Sequence, residues 1–362
     1  MWWVVANSTI LFFSIISLAF LENKKGMAVG VLLGVFLLST AFIFSINYNR
    51  DIMSDSILYS QYYKVIGDVS VGSLFQYKDD YEILFRLYTW SIAKITDDVH
   101  FYFGFTALII YLISSFGLIA LLGKTYGLIA SFMLLTYPWF SLYSSSGIRQ
   151  GFALSILFFS FAKTIDGKWC KAIFFVILAS LFHRTAIVWL PIIAVMMAKP
   201  SLRKIMILYF IVSIFSFFNV FEIFLSKLID IDSLSAREQL YFNNEENSYR
   251  VGFRWDFYLL SLFPLLSLFF LRMKFSFDGI SEKCNSAMCV FYILNMYMLF
   301  FSFIRYYDRF AAFSWILIPA ILCILVKMSG RLTIRSYVVM LFVMLANTVA
   351  FRFYNWGWFF EI

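Results

Sequence analysis

An all-α polytopic membrane protein is the fold class this sequence predicts, on three observations. Of 362 residues, 62% are hydrophobic and 14% charged, against about 25% charged in soluble domains. Mean hydropathy is +0.83. Apolar runs such as Phe105 to Leu122 are continuous and do not alternate with period two, which argues for helices and against a membrane β-barrel.

About twelve spans are expected, over 3–21, 27–47, 101–122, 126–143, 148–163, 170–183, 186–198, 205–222, 255–271, 286–304, 310–326 and 337–351. Met1 to Phe20 has neither a basic leading region nor a small-residue cleavage site, so it reads as a retained first span. Several spans fall short of the roughly twenty residues a bilayer takes, so 148–198 is expected to contain half-helices or re-entrant turns. Tyr81 to Ile95 is amphipathic and charged, and is predicted to lie on the surface. The chain then forms a single integral membrane domain, 1–362, with two longer outer segments at about 48–100 and 223–254.

The cations sort by type between the two sets of loops. One set carries mostly lysines, Lys24, Lys25, Lys124, Lys163, Lys168, Lys171, Lys199, Lys204, Lys274, Lys283 and Lys327, with Arg203, Arg272, Arg331 and Arg335 and few acids. Short basic loops of this kind belong in the cytoplasm. The other set carries Arg50, Arg86, Arg149, Arg184, Arg237, Arg250, Arg254, Arg305, Arg309 and Arg352, with only Lys64, Lys78, Lys94 and Lys227, and holds nearly all the acids. Both termini then lie outside. The positive-inside rule counts Lys and Arg together, so the split says something more. Arginine's planar fork grips phosphate far better than lysine's point charge does, which suggests a diphosphate-handling face. The pI of about 9.2 follows from basic loops against anionic membrane lipid and implies no nucleic-acid partner.

Three patterns on the arginine side carry chemistry. Ser144-Ser145-Ser146-Gly147-Ile148-Arg149-Gln150 opens an apolar helix. Serines there are expected to cap free N–H groups, which with the helix dipole and Arg149 make an anion cradle; alternatively Arg149 snorkels to the interface. His183, one of two histidines, stands in Leu181-Phe182-His183-Arg184-Thr185-Ala186 between two short apolar stretches. An imidazole accepts a proton near neutrality. Arg305 and Arg309, if helical, place two guanidiniums on one face, and Arg250 and Arg254 repeat that spacing before Asp256. Arg50, Arg237 and Arg352 belong to no pattern. Asp230-Ile231-Asp232 and Asp97-Asp98 with His100 are weak candidates for metal ligation, and no metal site is expected. Cys170, Cys284, Cys289 and Cys323 fall in spans or on the lysine side, and read as packing residues.

Ser146-x-x-Arg149-Gln150 before an apolar helix, followed some thirty residues later by Phe182-His183-x-Thr185-Ala186, resembles the EpsG-like branch of Wzy-type O-antigen and exopolysaccharide polymerases. Asp55-x-x-x-Tyr59 and Tyr81-Glu82-x-x-Phe85 resemble that family's first outer-loop motifs, although Ile57-Leu58 stands where a polar residue is commoner. The likeness covers roughly residues 50–190, and beyond residue 200 only the span count and the arginines near 305 share it. It implies a bacterial inner-membrane glycosyltransferase that joins undecaprenyl-diphosphate-linked oligosaccharides at the periplasmic face, without cofactor or metal, alongside a chain-length regulator protein.

On that reading His183 is the candidate general base, with Glu82 and Asp55 as competitors. The diphosphate-binding candidates are Arg149, Gln150, Arg184, Arg305, Arg309, Arg254 and Arg250. A flippase for lipid-linked oligosaccharide is one rival, but transporters place ionisable groups near the midplane, and here they sit at span ends. A membrane O-acyltransferase is a second rival, with less need of arginines.

Overall fold

The computed structural model describes residues 25–53, 55–76, 81–135, 137–225, 251–272 and 281–328. Among these residues every regular element is a helix. The expected spans 3–21 and 337–351 lie outside them, as do Arg237, Arg250, Asp230, Asp232, Arg352 and most of the outer segment 223–254.

The chain begins with α1 (Lys25–Tyr48), continues through three short helices, α2 (Asp55–Ile66), α3 (Val71–Gln76) and α4 (Ile83–Ala93), and enters α5 (Val99–Leu122). There follow α6 (Lys124–Leu135), α7 (Pro138–Ser145), α8 (Ile148–Ile165), α9 (Trp169–Ser180), a 3-10 turn (Arg184–Val188), α10 (Trp189–Met197), α11 (Leu202–Phe217) and α12 (Val220–Leu225). The last described helices are α13 (Trp255–Arg272), α14 (Glu282–Phe300), α15 (Asp308–Trp315) and α16 (Ile318–Met328).

Two stretches, α5 and Asp308–Met328, are long and apolar enough to cross a membrane by length and composition. At about 1.5 Å per residue, α5 reaches about 36 Å. It starts where Asp98 accepts a hydrogen bond from the His100 N–H and stops at Gly123, whose φ of +83° suits glycine. α1, which covers the expected span 27–47, is also 24 residues long, and the other described spans are shorter or interrupted. Pro138 at the first turn of α7 divides 126–143. Pro319 has no N–H to offer the Trp315 carbonyl, so 310–326 is split into α15 and α16. Residues 170–198 form α9, a 3-10 turn and α10, the broken pattern expected of so short a stretch.

Burial is arranged the opposite way from a soluble bundle. On α11 the inward stripe includes Ser213 and Ser216, while Ile207, Phe210, Ile211, Ile214 and Phe215 are exposed at helical spacing. α9 likewise exposes Ile173, Phe174 and Ile177. Apolar helix faces of this extent belong against lipid. Inside, small polar groups join helices: Asn295 Nδ2 donates to Ser314 Oγ at 2.8 Å, and Trp315 Nε1 donates to Ser261 Oγ at 3.0 Å.

Successive passes alternate between two ends of the bundle. At one end the finish of α1 meets the start of α5, with His100 Nδ1 2.9 Å from the Tyr48 carbonyl. The start of α4 joins the finish of α9 through the Leu84 N–H and the Leu181 carbonyl, 3.0 Å, and the start of α8 meets α15 where Gln150 Nε2 donates to the Arg309 carbonyl, 2.8 Å. At the other end Lys327 Nζ donates to the Leu122 carbonyl at 3.1 Å, and Lys283 lies 3.4 Å from Asp166. Arg50, Arg86, Arg149, Arg184, Arg254, Arg305 and Arg309 gather at the first end, with Lys64 and Lys94; Lys124, Lys163, Lys168, Lys199, Lys283 and Lys327 lie at the second, with Arg203. The bias of arginine against lysine read along the sequence is therefore a bias in space.

The helices α2–α4 form a cap over the arginine end. α4 has 11 residues, about 16 Å, half of what a bilayer core needs. It buries Phe85, Thr89 and Ile92. Trp90 Nε1 donates to the Val69 carbonyl at 2.9 Å and Arg86 Nη1 to the Leu74 carbonyl at 2.6 Å, which ties α3 to α4.

Candidate active site

Glu82, the residue that precedes α4, is the centre of the arginine end. Its Oε2 lies 2.9 Å from Arg149 Nη1, its Oε1 accepts the Arg184 backbone N–H at 3.0 Å, and the same Oε1 lies 3.4 Å from His183 Nδ1. The three partners come from the starts of α8 and of the 3-10 turn, and the hydrogen bond between Leu84 and Leu181 locks α4 against them. The side chains of Glu82, Arg149 and His183 are only 13–15% exposed. Burial works to raise the Glu82 pKa, but the nearby His183 imidazole, the Arg149 charge and the Arg184 N–H together hold it down at about 2. Glu82 is thus a fixed anion, hydrogen-bonded to Arg149 and to the Arg184 N–H, with His183 Nδ1 close by at 3.4 Å.

Arg149 sits in the first turn of α8, where the helix dipole disfavours a cation; Glu82 offsets that. The expected serine cap is not made. Ser144 and Ser145 end α7 and bond back to the carbonyls of Ser141 and Leu142, and Gly147 takes the cap position of α8 without a side-chain bond. Glycine is required here for a different reason, since a Cβ on Gly151 would stand 2.1 Å from the Tyr143 carbonyl oxygen and one on Gly147 2.8 Å from its ring. The close α7–α8 corner aims Arg149 at Glu82. Its guanidinium lies 4.7 Å over the Tyr81 ring, and Nε donates to the Tyr59 hydroxyl at 3.4 Å. Tyr59, Tyr62, Tyr81 and Phe85 pack ring to ring around it.

The remaining sequence candidates divide. Gln150 is buried and its amide holds the Arg309 main chain, which brings α15 to the site. Arg305 and Arg309 do not share a helical face as expected: α15 begins only at Asp308, and Tyr306 adopts φ +60°. Both guanidiniums nevertheless lie against the Tyr306 ring, at 5.5 and 4.8 Å. Arg184 meets Glu82 through its main chain, and the residue is exposed. Arg254 forms a bidentate pair with Asp256 and stacks 3.8 Å over Phe257. Arg250 lies outside the described residues. Asp55 is exposed in the first turn of α2, one turn before Tyr59. Asp98 and His100 are used in capping α5 and closing the α1–α5 seam. Cys284, Cys289 and Cys323 are buried thiols, and Cys170 is exposed.

Tyr306 is one of the outer-face aromatics, with Trp139, Tyr143, Trp255 and Tyr307, that the sequence offers for stacking sugar rings. Tyr59 and Tyr81 are not among those candidates; Tyr59 ends one resembling motif and Tyr81 begins the other, which is the signal that points to them.

Fold and cluster together define a helical membrane protein with a glutamate–arginine–histidine centre at its arginine-rich end. The EpsG family model matches residues 30–359, and the chain belongs to the EpsG family. Comparison with curated proteins and with solved structures found no match.

Proposed function

We propose that the protein is a membrane glycosyltransferase that polymerises undecaprenyl-diphosphate-linked oligosaccharide repeat units, as in O-antigen or related polysaccharide synthesis. It has about twelve spans in the bacterial inner membrane, with the arginine end facing the periplasm. The observation that carries this reading is the convergence of Glu82, Arg149 and His183 from three separate segments, in a chain of this family.

The proposed chemistry follows from that geometry. With Nδ1 turned to the Glu82 carboxylate, neutral His183 carries its proton on Nδ1 and keeps the Nε2 lone pair free. Nε2 removes the proton from an acceptor sugar hydroxyl as that oxygen bonds to the anomeric carbon of the donor. The bond from this carbon to the diphosphate oxygen breaks, and undecaprenyl diphosphate leaves with the electron pair. Arg149, with Arg305 and Arg309, stabilises the charge that develops on the leaving diphosphate, so arginines supply what a metal ion supplies elsewhere. Glu82, hydrogen-bonded to Arg149 and the Arg184 N–H and close to His183, acts as a positioning residue; its low pKa makes it a poor base. Tyr81 and Tyr306 offer faces on which sugar rings stack. A chain-length regulator protein is the expected partner.

The test is the surface glycan of cells carrying Arg149→Ala or His183→Ala at normal protein levels. Glycan capped at a single repeat unit is expected from either variant. An unchanged long-chain ladder from both sinks the proposal, and repeat units retained inside the cell favour a flippase.

A further inference from the structure

Arg50, which belongs to no sequence motif, is placed unusually. It lies two residues past the end of α1, at the end of the bundle that holds the glutamate–arginine–histidine centre. Its guanidinium sits 4.4 Å over the Phe103 ring of α5. Nε and Nη2 are buried and donate to no acceptor, and among the described residues no carboxylate forms an ion pair with Arg50. Arg149 and Arg254 at the same end each have one. The Tyr48 carbonyl, at the finish of α1, is engaged by His100 Nδ1 at 2.9 Å. Burial without a counter-charge lowers the Arg50 pKa to about 10.

A buried cation left without an anion is costly, and chains keep such groups where a ligand supplies the missing charge. The residue is only half-buried, so the guanidinium remains reachable from outside. The anion class follows from depth. α1 has 24 residues, about 36 Å of helix, so a side chain just past its end stands at headgroup level. The abundant anions there are phosphates, and guanidinium is the side chain that binds them best.

We propose that Arg50 is a second phosphate-binding point, separate from Arg149, that holds the phosphate of a membrane lipid in the α1–α5 seam against Phe103. A phospholipid headgroup and a lipid-linked diphosphate present the same chemistry, and the test separates them.

The full chain in detergent is titrated with dioleoylphosphatidylglycerol, farnesyl diphosphate or phosphate-free dioleoylglycerol and read by native mass spectrometry. The native chain is expected to bind at least one phosphate probe more tightly than dioleoylglycerol. Arg50→Gln is expected to lose about tenfold or more of that affinity, the value of a charged hydrogen bond. A loss for phosphatidylglycerol alone assigns a headgroup site; a loss for farnesyl diphosphate alone assigns the lipid-linked diphosphate. Equal affinity of native chain and Arg50→Gln for both phosphate probes overturns the proposal. The Arg50-dependent difference persists in an Arg149→Gln background, which separates failure here from failure of the polymerase reading. Phenylglyoxal labelling of Arg50 in the native chain needs no variant: protection by a phosphate probe supports the site, and equal labelling with all three probes overturns it.

Discussion

Replacing Glu82 with glutamine is the sharpest perturbation of the site, because it keeps the shape and removes the charge. Glutamine has one acceptor oxygen and one donor nitrogen where the carboxylate has two acceptors. Facing Arg149 Nη1, the oxygen leaves the amide N–H₂ against the Arg184 N–H and, if protonated, His183 Nδ1. Turned the other way, the N–H₂ meets the Arg149 guanidinium. Every orientation sets a donor against a donor at contacts of 2.9 or 3.0 Å. The loss is one charge-assisted hydrogen bond, about 1.5–3 kcal/mol, with a largely buried Arg149 left short of its counter-charge. Unfolding of the purified protein in detergent should show a destabilisation of about 2–3 kcal/mol. If half of this falls on the geometry of His183 and Arg149, polymerisation slows roughly tenfold. Glu82→Asp keeps both acceptors and should fall between the two. A Glu82→Gln protein with native thermal stability and a native glycan ladder would refute the reasoning.

The same carboxylate gives a pH signature. Its pKa is depressed in the folded protein from an ordinary 4.5 to about 2, so its stabilisation is fully present above about pH 4.5 and is lost as pH falls through 2. The thermal-stability difference between the native chain and Glu82→Gln should therefore be constant from pH 7 to 5 and shrink between 4.5 and 2. Gly151→Ala places a methyl group 2.1 Å from the Tyr143 carbonyl oxygen and should cost about 1–3 kcal/mol or more in thermal unfolding. Gly30→Ala, inside α1 with nothing within 4 Å, should not destabilise, and should gain up to about 1 kcal/mol from the better helix former. Gln150→Ala removes the only described tie from its side chain to the Arg309 carbonyl; a loss of about 1–3 kcal/mol with a shortened glycan ladder is expected, and a normal ladder would separate Arg309 from the site.

Much of the centre was legible because its residues stand where polarity breaks an apolar sequence. Arg149 and His183 begin or end apolar runs, and Glu82 opens an amphipathic segment too charged to cross. What joins them is invisible locally: Glu82 meets partners 67 and 102 positions away, and the tie between the start of α4 and the residue after α9, Leu84 N–H to the Leu181 carbonyl, holds them together. The serine cap was misjudged because Ser144 and Ser145 were assigned to the helix that follows them. In the structure they finish the helix before, and Gly147 and Gly151 shape the corner. The helical pairing of Arg305 with Arg309 failed because Tyr306 turns left-handed, which single-residue preference does not foresee in a tyrosine. Arg50 carried no pattern at all. Its placement over Phe103, 53 positions along the chain, depends on the α1–α5 contact. The alternation of helix ends, by contrast, follows directly from loop charge.

The central claim is best tested with purified protein in vesicles, given undecaprenyl-diphosphate-linked repeat units and a metal chelator. The proposed chemistry predicts products of two or more repeat units on one lipid, with one undecaprenyl diphosphate released per bond formed, and neither from His183→Ala. Units that cross the bilayer unchanged in length, with no lipid diphosphate released, would contradict it.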